Sequence, residues 1–250
     1  MQNGNFLRNI WIIMKREFAG YFGSPVAYVF IVIFLLLTGF FTFYISNFFE
    51  AGQADLKGFF QWHPWLFMFL VPAVAMRLWA EERRLGTIEL LLTLPVTITD
   101  VVLGKFLAAW CFIGIALALT FPLVLTTMYL GNPDLGVIFC AYLGSFLMAG
   151  AFLSVGSMTS ALTRSQVVSF ILAVVACLFL ILAGFAPVTA ILSGWAPMGL
   201  VDLVSSISVL SHFASIARGV LDVRDLLYYL SVMAFMMFVN GVILQNRESA

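Results

Sequence analysis

One internal segment, Trp79–Asp100, holds a dense cluster of charged residues in a chain that is otherwise largely apolar. The segment predicts a short helix between Glu81 and Leu94 with an apolar face and a polar surface. The polar surface consists of Glu81, Glu82, Arg83, Arg84, Thr87 and Glu89, and the apolar face of Leu85, Ile88, Leu91 and Leu92. Such a helix can lie against a membrane and offer its polar end to a soluble partner. The residues leave a second interpretation open, a solvated interfacial helix whose local ion pairs contribute about 0.2 to 0.5 kcal/mol each.

Gly86 lies inside this predicted helix. A glycine weakens an isolated helix by about 0.5 to 1 kcal/mol relative to alanine, so its presence indicates either close packing or a local bend. The sequence does not distinguish between these two alternatives.

The rest of the sequence offers little material for catalysis. The motifs HExxH, GxSxG and GxxxxGK[ST], which mark zinc proteases, serine hydrolases and phosphate-binding loops, do not occur. His63 and His212 are the two histidines, and Cys111, Cys140 and Cys177 lack the paired spacing of metal or redox sites, so we interpret the cysteines as apolar fillers. We therefore expect no enzymatic activity, metal or cofactor on this chain. If ATP drives the protein, another chain must bind the nucleotide.

The composition indicates an integral membrane protein, since hydrophobic residues make up 63% of the chain and charged residues 10%. The charge-free intervals are continuously apolar, and each is near or above the roughly 20 residues that a helix needs to cross about 30 Å of hydrocarbon. Barrel strands would alternate in polarity. The intervals predict an all-α membrane protein with six transmembrane helices in a single domain, residues 1–250. The predicted spans are Val26–Ser46, Phe59–Leu78, Val101–Leu130, Gly136–Leu162, Gln166–Ala186 and Leu226–Leu244.

The distribution of lysine and arginine predicts the orientation of these spans, because cytoplasmic loops carry an excess of both. Six spans place both termini on one side, and the loops of that side hold nine basic residues against three on the other. Both termini and the Trp79–Asp100 segment are therefore predicted to be cytoplasmic. The net charge is zero and the chain has no basic tail, so nothing in the sequence indicates nucleic acid as a partner.

An amphipathic helix is predicted before the first span. Apolar residues recur at spacings of three and four from Leu7 to Phe22, which indicates a helix lying in the cytoplasmic interface. A cytoplasmic extension of the first span is the alternative. Ser24 and Pro25 argue against the extension, because a cap residue followed by proline is typical of a helix start.

Polar residues also mark the ends of later helices. Thr97 and Asp100 have the spacing of a capping box at the start of the third span, and Asp222 and Asp225 are placed to cap the last one. His63 lies beside tryptophans near the outer end of the second span, so we expect it in the aromatic belt of the interface.

Small residues in the fourth span predict close helix packing. They are Gly144, Ser145, Gly150, Ser154, Gly156, Ser157 and Ser160. The segment Pro187–Arg224 is too polar to cross the bilayer and too apolar to be a free loop. We expect it to form short helices that re-enter the outer leaflet before the sixth span.

The string EERRLGTIELLLTLPVTITDVVLGKFLAA resembles the signature region of the type-2 ABC exporter permeases. In that family, a glutamate-rich helix after the second span is followed by Gly-Thr-x-Glu, a leucine run, a proline and a Gly-Lys at the start of the third span. The matching positions are Glu81, Glu82, Arg83, Gly86, Thr87, Glu89, Leu90 to Leu92, Pro95, Gly104 and Lys105. The order of elements is similar too, so the resemblance covers nearly the whole chain. Within the family, SPVAYVF and HFASIARGVLDVRDLLYYLS are similar to the gliding-motility-associated permease subgroup.

The resemblance implies a permease of the bacterial inner membrane, surrounded by membrane lipids. It would form a homodimer, or a heterodimer with a second permease chain, and bind two cytoplasmic ABC ATPase subunits that hold ATP and Mg²⁺. ATP binding would move the helix between spans 2 and 3 and so rock the spans between inward-open and outward-open arrangements. The expected coupling residues are Glu81, Glu82, Arg83, Gly86, Thr87 and Glu89.

The substrate is less constrained. The spans are rich in Phe, Ser and Thr with almost no fixed charge, which suits a lipidic, amphipathic or polymeric substrate, although packing also explains phenylalanine-rich spans. Three other functions stay open: a non-transporting scaffold for a cytoplasmic ATPase, a membrane-embedded enzyme and an ion-driven carrier. Span centres without Asp, Glu, Lys or Arg argue against the carrier, and the lack of clustered catalytic residues argues against the enzyme.

Overall fold

A computed structural model describes residues 3–50, 52–86, 96–194 and 196–248. Over this part of the chain the protein consists of helices and the turns between them. The helices are α1 (Asn3–Phe22), α2 (Pro25–Phe40, continued by a π-helical turn Phe41–Ile45), α3 (Lys57–Gln61), α4 (His63–Ala75), α5 (Arg77–Leu85), α6 (Ile98–Ala118), α7 (Phe121–Leu130), α8 (Leu135–Leu162), α9 (Gln166–Leu182), α10 (Ala186–Ser193), α11 (Met198–Ser206), α12 (Val209–Ile216) and α13 (Val223–Glu248).

Several of these helices are long and apolar enough to cross a membrane. Five stretches of the described chain meet this test singly: Pro25–Ile45, His63–Leu85, Ile98–Leu130, Leu135–Leu162 and Val223–Asn246. Two helix pairs meet it only together, α9 with α10, bent by 64°, and α11 with α12, bent by 68°. By length and composition, the described part of the chain therefore contains five to seven candidate membrane spans. The prediction of a multi-pass helical membrane protein is confirmed, and the predicted count of six lies within this range.

Helix α8 lies at the centre of the bundle, and its glycines let neighbouring helices approach closely. A Cβ atom at Gly156 would lie 2.4 Å from Ala75 Cβ of α4. One at Gly150 would lie 2.6 Å from Met233 Sδ of α13. The close packing predicted from the small residues of the fourth span is confirmed.

The predicted break between the amino-terminal helix and the first span is also confirmed. Ser24 has an extended backbone, its Oγ accepts a hydrogen bond from Val26 N at 3.4 Å, and Pro25 begins α2. Helix α1 is thus a separate element. It packs along α6, where a Cβ atom at Gly104 would lie 2.7 Å from Ile13 Cγ2.

His63 is fully buried, so its predicted place in an interfacial aromatic belt is wrong. Its Nδ1 lies 2.8 Å from Ser145 Oγ, and its ring stacks on Phe67 at a centroid distance of 5.2 Å. Phe59 and Phe60 of the short helix α3 lie edge-on to the same ring. Helix α3 covers the end of α4, and this cover encloses a residue that would otherwise face the interface.

The two carboxylates at the start of α13 have different roles. Asp222 caps the helix as predicted, because its Oδ1 accepts from Arg224 N at 2.9 Å. Asp225 lies in the first turn, but its Oδ1 is 2.6 Å from His212 Nδ1, while His212 Nε2 is 3.0 Å from the carbonyl oxygen of Ser206. This contact ties α12 to α13.

Candidate functional site

A buried lysine connects three helices at one end of the bundle. Lys105, at the start of the third turn of α6, has 4% of its side chain exposed. Its Nζ lies 2.7 Å from Glu82 Oε1 of α5 and 3.2 Å from Glu17 Oε2 of α1. It also lies 5.5 Å from the centre of the Trp79 ring. A buried ammonium group is costly unless it is paired, and the two carboxylates provide that pairing. We call Lys105, Glu17 and Glu82 the Lys105 cluster.

Charge–charge interactions stabilise the ionised form of Glu17. Burial alone would raise the pKa of this carboxyl group, but the positive charges of Lys105 and Arg16 outweigh burial and hold its pKa below the ordinary value of 4.5. Arg16 Nη2 donates to Glu17 Oε1 at 2.9 Å. Glu17 is therefore negatively charged at neutral pH and balances part of the charge of Lys105.

The start of α6 is fixed to α1 by a short hydrogen-bond network. Thr97 Oγ1 accepts from Asp100 N at 3.2 Å, and Asp100 Oδ2 accepts from Thr97 N at 3.1 Å, which confirms the predicted capping box. The same Asp100 Oδ2 accepts from Asn9 Nδ2 of α1 at 3.2 Å. The two neighbouring residues of the sequence signature have separate roles. Gly104 allows close contact between α6 and α1, and Lys105 forms ion pairs.

Helices α4 and α5 are separated by a break at Met76, which a side chain of α8 bridges. Pro72 lies inside α4, where it removes a backbone donor and disturbs the helix. Ser160 Oγ accepts from Trp79 N at 3.1 Å and from Ala80 N at 3.0 Å, and donates to the carbonyl oxygen of Met76 at 3.0 Å. One hydroxyl thus satisfies three backbone groups at the break and fixes the start of α5 on α8.

The indole of Trp79 extends this connection to the last helix. Trp79 Nε1 donates to Ser157 Oγ at 3.1 Å, and Asn240 Nδ2 donates to the same oxygen at 2.8 Å. The carboxyl-terminal half of α13 therefore lies beside α5, at the end of the bundle that also holds α1 and the Lys105 cluster.

Three of the predicted coupling residues, Glu81, Glu82 and Arg83, face the helix bundle. Glu82 pairs with Lys105. Arg83 Nη1 donates to the carbonyl oxygen of Ala161 at the end of α8. Glu81 lines a cavity. These side chains connect α5 to α6, α8 and the cavity.

The helix predicted from Glu81 to Leu94 is interrupted at Gly86. The observed helix α5 begins earlier, at Arg77, and ends at Leu85, where Gly86 adopts a left-handed conformation with φ of 72°. A Cβ atom at Gly86 would have nothing within 4 Å, so the glycine serves a local bend and not close packing. The predicted coupling residues Thr87 and Glu89, and Leu90 to Leu92, lie outside the described residues.

A cavity of about 530 Å³ lies beside the Lys105 cluster, between α1, α2, α4, α5 and α6. Its charged lining comprises Glu17, Arg77, Glu81, Glu82 and Lys105. Apolar residues of α2, α4 and α6 form most of the remaining wall, including Val26, Ala27, Val29, Phe30, Ile33, Leu70, Ala73, Val74 and Phe112. The site therefore combines fixed charges with an adjoining apolar surface.

Sequence reasoning missed Glu17 and Ser160 as site residues. Glu17 was interpretable only as part of the polar face of an amphipathic helix, and Ser160 only as a small packing residue. Lys105 was the available signal, because it falls inside the predicted third span, and a cation at that depth needs a carboxylate partner. The identity of that partner depends on how distant segments pack.

The fold and the site together define a multi-pass helical membrane protein with an internal ion cluster at one end of its bundle. Residues 11–245 match the family described as ABC-2 family transporter protein, and the chain belongs to that family. It is therefore a permease subunit of an ABC transporter, a class of membrane protein that works with an ABC ATPase. No curated protein matches the chain.

Proposed function

We propose that this chain is the membrane-spanning subunit of an ABC exporter, which couples ATP hydrolysis on separate ATPase subunits to export of a substrate. The family match over residues 11–245 is the observation that carries this proposal. The complex would contain two ATPase subunits, which hold ATP and Mg²⁺, and a second permease chain, identical or different. The permease chain itself would perform no enzymatic step.

We further propose six spans in the bacterial inner membrane, in one domain with both termini in the cytoplasm. Helix α9 would be the fifth span, and α10 to α12 would re-enter the outer leaflet before α13. The contact of Asn240 with Ser157 supports an even number of crossings, since it brings the end of α13 to the same end of the bundle as α1. At the opposite end, Trp62 Nε1 donates to Ser46 Oγ at 3.0 Å and so joins the second predicted span to the first.

Coupling would run through the segment that joins α5 to α6. Glu81, Glu82, Arg83, Gly86, Thr87 and Glu89 are the residues we assign to it. An ATPase that binds beyond Gly86 would pull on α5, which the Lys105 cluster ties to α1 and α6 and which Ser160 ties to α8. A partner shifts a conformation only by its differential affinity for two states, so the ATPase must hold this segment differently with and without ATP.

Charge reversal next to Gly86 tests this docking role. The variant Arg84→Glu/Glu89→Arg should lose the ATPase that copurifies with the tagged wild-type chain, because Arg84 is exposed and both residues belong to the polar surface predicted from the sequence. Glu50→Arg, at an exposed position in another connection, should retain the ATPase and serves as the control. Reversal at Glu82 is less informative, since a second cation beside buried Lys105 would disturb folding. Unchanged ATPase recovery in the double variant would remove the segment from docking.

A second measurement distinguishes an exporter from a non-transporting scaffold. Hydrogen exchange of α5 and the start of α6 in the complex should differ between nucleotide-free and ATP-bound forms if the ATPase drives a conformational change. A scaffold would retain its ATPase and show the same exchange in both forms. This readout does not require the substrate to be known.

We infer a lipidic, amphipathic or polymeric substrate. The reason is the apolar character of the spans, whose centres carry no fixed charge. We also propose that the chain is related to the gliding-motility-associated permeases, because two of its segments, SPVAYVF and HFASIARGVLDVRDLLYYLS, are similar to that subgroup. It implies no role in motility.

A further inference from the structure

The cavity beside the Lys105 cluster is open toward the exposed apolar face of α2. Val26, Val29 and Ile33 of α2 line it, yet these side chains are 44%, 54% and 42% exposed. The apolar part of the cavity is therefore continuous with an exposed apolar face of the single chain. An acyl chain can enter there without crossing water.

The charges that line the cavity fall into two groups. The first is the Lys105 cluster, in which Lys105 pairs with Glu17 and Glu82, and Glu17 is paired in addition with Arg16, which does not line the cavity. The second consists of Arg77 and Glu81, which lie one turn apart on α5 and both line the cavity. Within the described part of the chain neither forms an ion pair, and the buried Arg77 Nε has no hydrogen-bond partner.

A cation and an anion that are adjacent and unpaired fit a ligand that carries both charges. A phosphate would accept hydrogen bonds from the Arg77 guanidinium, and a primary ammonium would donate to the Glu81 carboxylate. An anionic lipid would leave Glu81 facing a like charge, and a simple cation would leave Arg77 unmatched. A quaternary ammonium has no N–H group to donate to Glu81.

We propose that this cavity binds a membrane phospholipid with an ethanolamine head group. Its phosphate would lie at Arg77, its ammonium at Glu81, and the upper part of its acyl chains along the exposed face of α2. The site goes beyond the proposed transport function and does not depend on an ATPase. Its occupant would fill the space between the α1–α2 break and α5, and would therefore stabilise the arrangement of the Lys105 cluster.

The test is lipid retention by the full-length chain. Purified protein is exchanged into nanodiscs with equal amounts of phosphatidylethanolamine, phosphatidylcholine and phosphatidylglycerol and then extracted in mild detergent. Mass spectrometry measures the lipid that stays bound. The wild-type chain should retain phosphatidylethanolamine in preference to the other two. Arg77→Gln should weaken this retention by about tenfold, as expected for loss of a charge-assisted hydrogen bond.

Further variants separate the two charges and control for folding. Glu81→Gln should abolish the preference for phosphatidylethanolamine over phosphatidylglycerol, because the like charge that disfavours an anionic lipid is gone. Arg84→Gln, at an exposed position of the same helix, and Glu50→Gln should behave as wild type. Ala73→Phe, which fills the cavity wall, should also reduce retention while both charges remain in place.

Several results would overturn the proposal. They are equal retention of the three lipids by wild type, a preference for phosphatidylglycerol, or the same loss in Arg77→Gln and Arg84→Gln. A second copy of the chain that covers the α2 face and excludes lipid would also overturn it. Unchanged ATPase recovery in Arg84→Glu/Glu89→Arg together with the expected lipid pattern would count only against the proposed coupling, so the two failures are distinguishable.

Discussion

At the scale of single residues, the stability of the charged end of the bundle depends on how the buried charge of Lys105 is paired. Lys105 is held by carboxylates from two other helices, so neither carboxylate alone decides whether the charge is tolerated. This arrangement makes the two glutamates interdependent. It also explains why Glu82 faces inward although it belongs to the most charged segment of the sequence.

The interdependence predicts a non-additive mutant cycle. Glu17→Gln and Glu82→Gln should each lower the melting temperature modestly, because Lys105 keeps one carboxylate. The melting temperature of the double variant should fall by more than the sum of the two single decreases, since removing the partners of a buried charge costs about 3 to 5 kcal/mol. Adding Lys105→Met to the double variant should restore part of the loss. Thermal unfolding of the purified chain measures each step, and additive losses without recovery would mean that water solvates Lys105.

The pKa of Glu17 predicts the acid response of the same cluster. Its value in the folded protein lies below the ordinary 4.5 of an unfolded chain, so the unfolded chain takes up this proton first as the pH falls. The stability that Glu17 contributes is fully present above pH 4.5 and is lost as the pH falls through the lower folded pKa. Melting temperatures measured from neutral to acid pH should therefore fall less steeply in Glu17→Gln than in wild type. An equal fall in melting temperature at acid pH in both proteins would show that Glu17 is not ion-paired.

At the scale of helices, the start of α5 depends on a side chain from α8. Ser160→Ala should leave the buried N–H groups of Trp79 and Ala80 without an acceptor, at a cost of about 1 to 3 kcal/mol for each unsatisfied group. The expected result is a lower melting temperature together with faster amide exchange at these two residues. Ser231→Ala removes an exposed hydroxyl that bonds only within its own helix, and should change neither. If the amide of Trp79 exchanged at the same rate in Ser160→Ala as in wild type, the start of α5 would not depend on this contact.

Local chemistry made some of these elements predictable from the sequence. The cap at Ser24 and the capping box at Thr97 depend on residues within one helical turn, and both predictions are confirmed. Contacts between distant segments were not predictable. The burial of His63 depends on where α3 folds back, and the pairing of Asp225 with His212 depends on how α12 meets α13.

The same distinction applies to the candidate site. The sequence pointed to the charged segment and to the Gly-Lys pair, because their composition is unusual in an apolar chain. It could not show that Glu82 and Arg83 face inward, since their partners Lys105 and Ala161 become neighbours only when α5, α6 and α8 pack together. A hydrophobic pattern specifies which segments enter the membrane, but not which polar side chains meet there.

At the scale of the whole molecule, the two bent helix pairs decide the topology. If α9 with α10 is one span and α11 with α12 another, the chain crosses seven times and its termini lie on opposite sides. If only α9 crosses, the count is six and the termini share a side. The hydrogen bond between Asn240 and Ser157, which joins the end of α13 to the part of α8 beside α5, favours the even count.

Labelling of single cysteines measures this topology directly. In a background where Cys111, Cys140 and Cys177 are replaced by alanine, a membrane-impermeant thiol reagent added to intact cells should label Lys57→Cys and Arg218→Cys. It should leave Phe6→Cys, Arg84→Cys and Gln245→Cys unlabelled until the membrane is permeabilised, since six spans and the lysine and arginine distribution place all three in the cytoplasm. Labelling of Gln245→Cys but not Phe6→Cys in intact cells would establish an odd number of crossings. Labelling of Arg84→Cys from outside would remove the Lys105 end of the bundle from any contact with a cytoplasmic ATPase, and with it the proposed route of coupling.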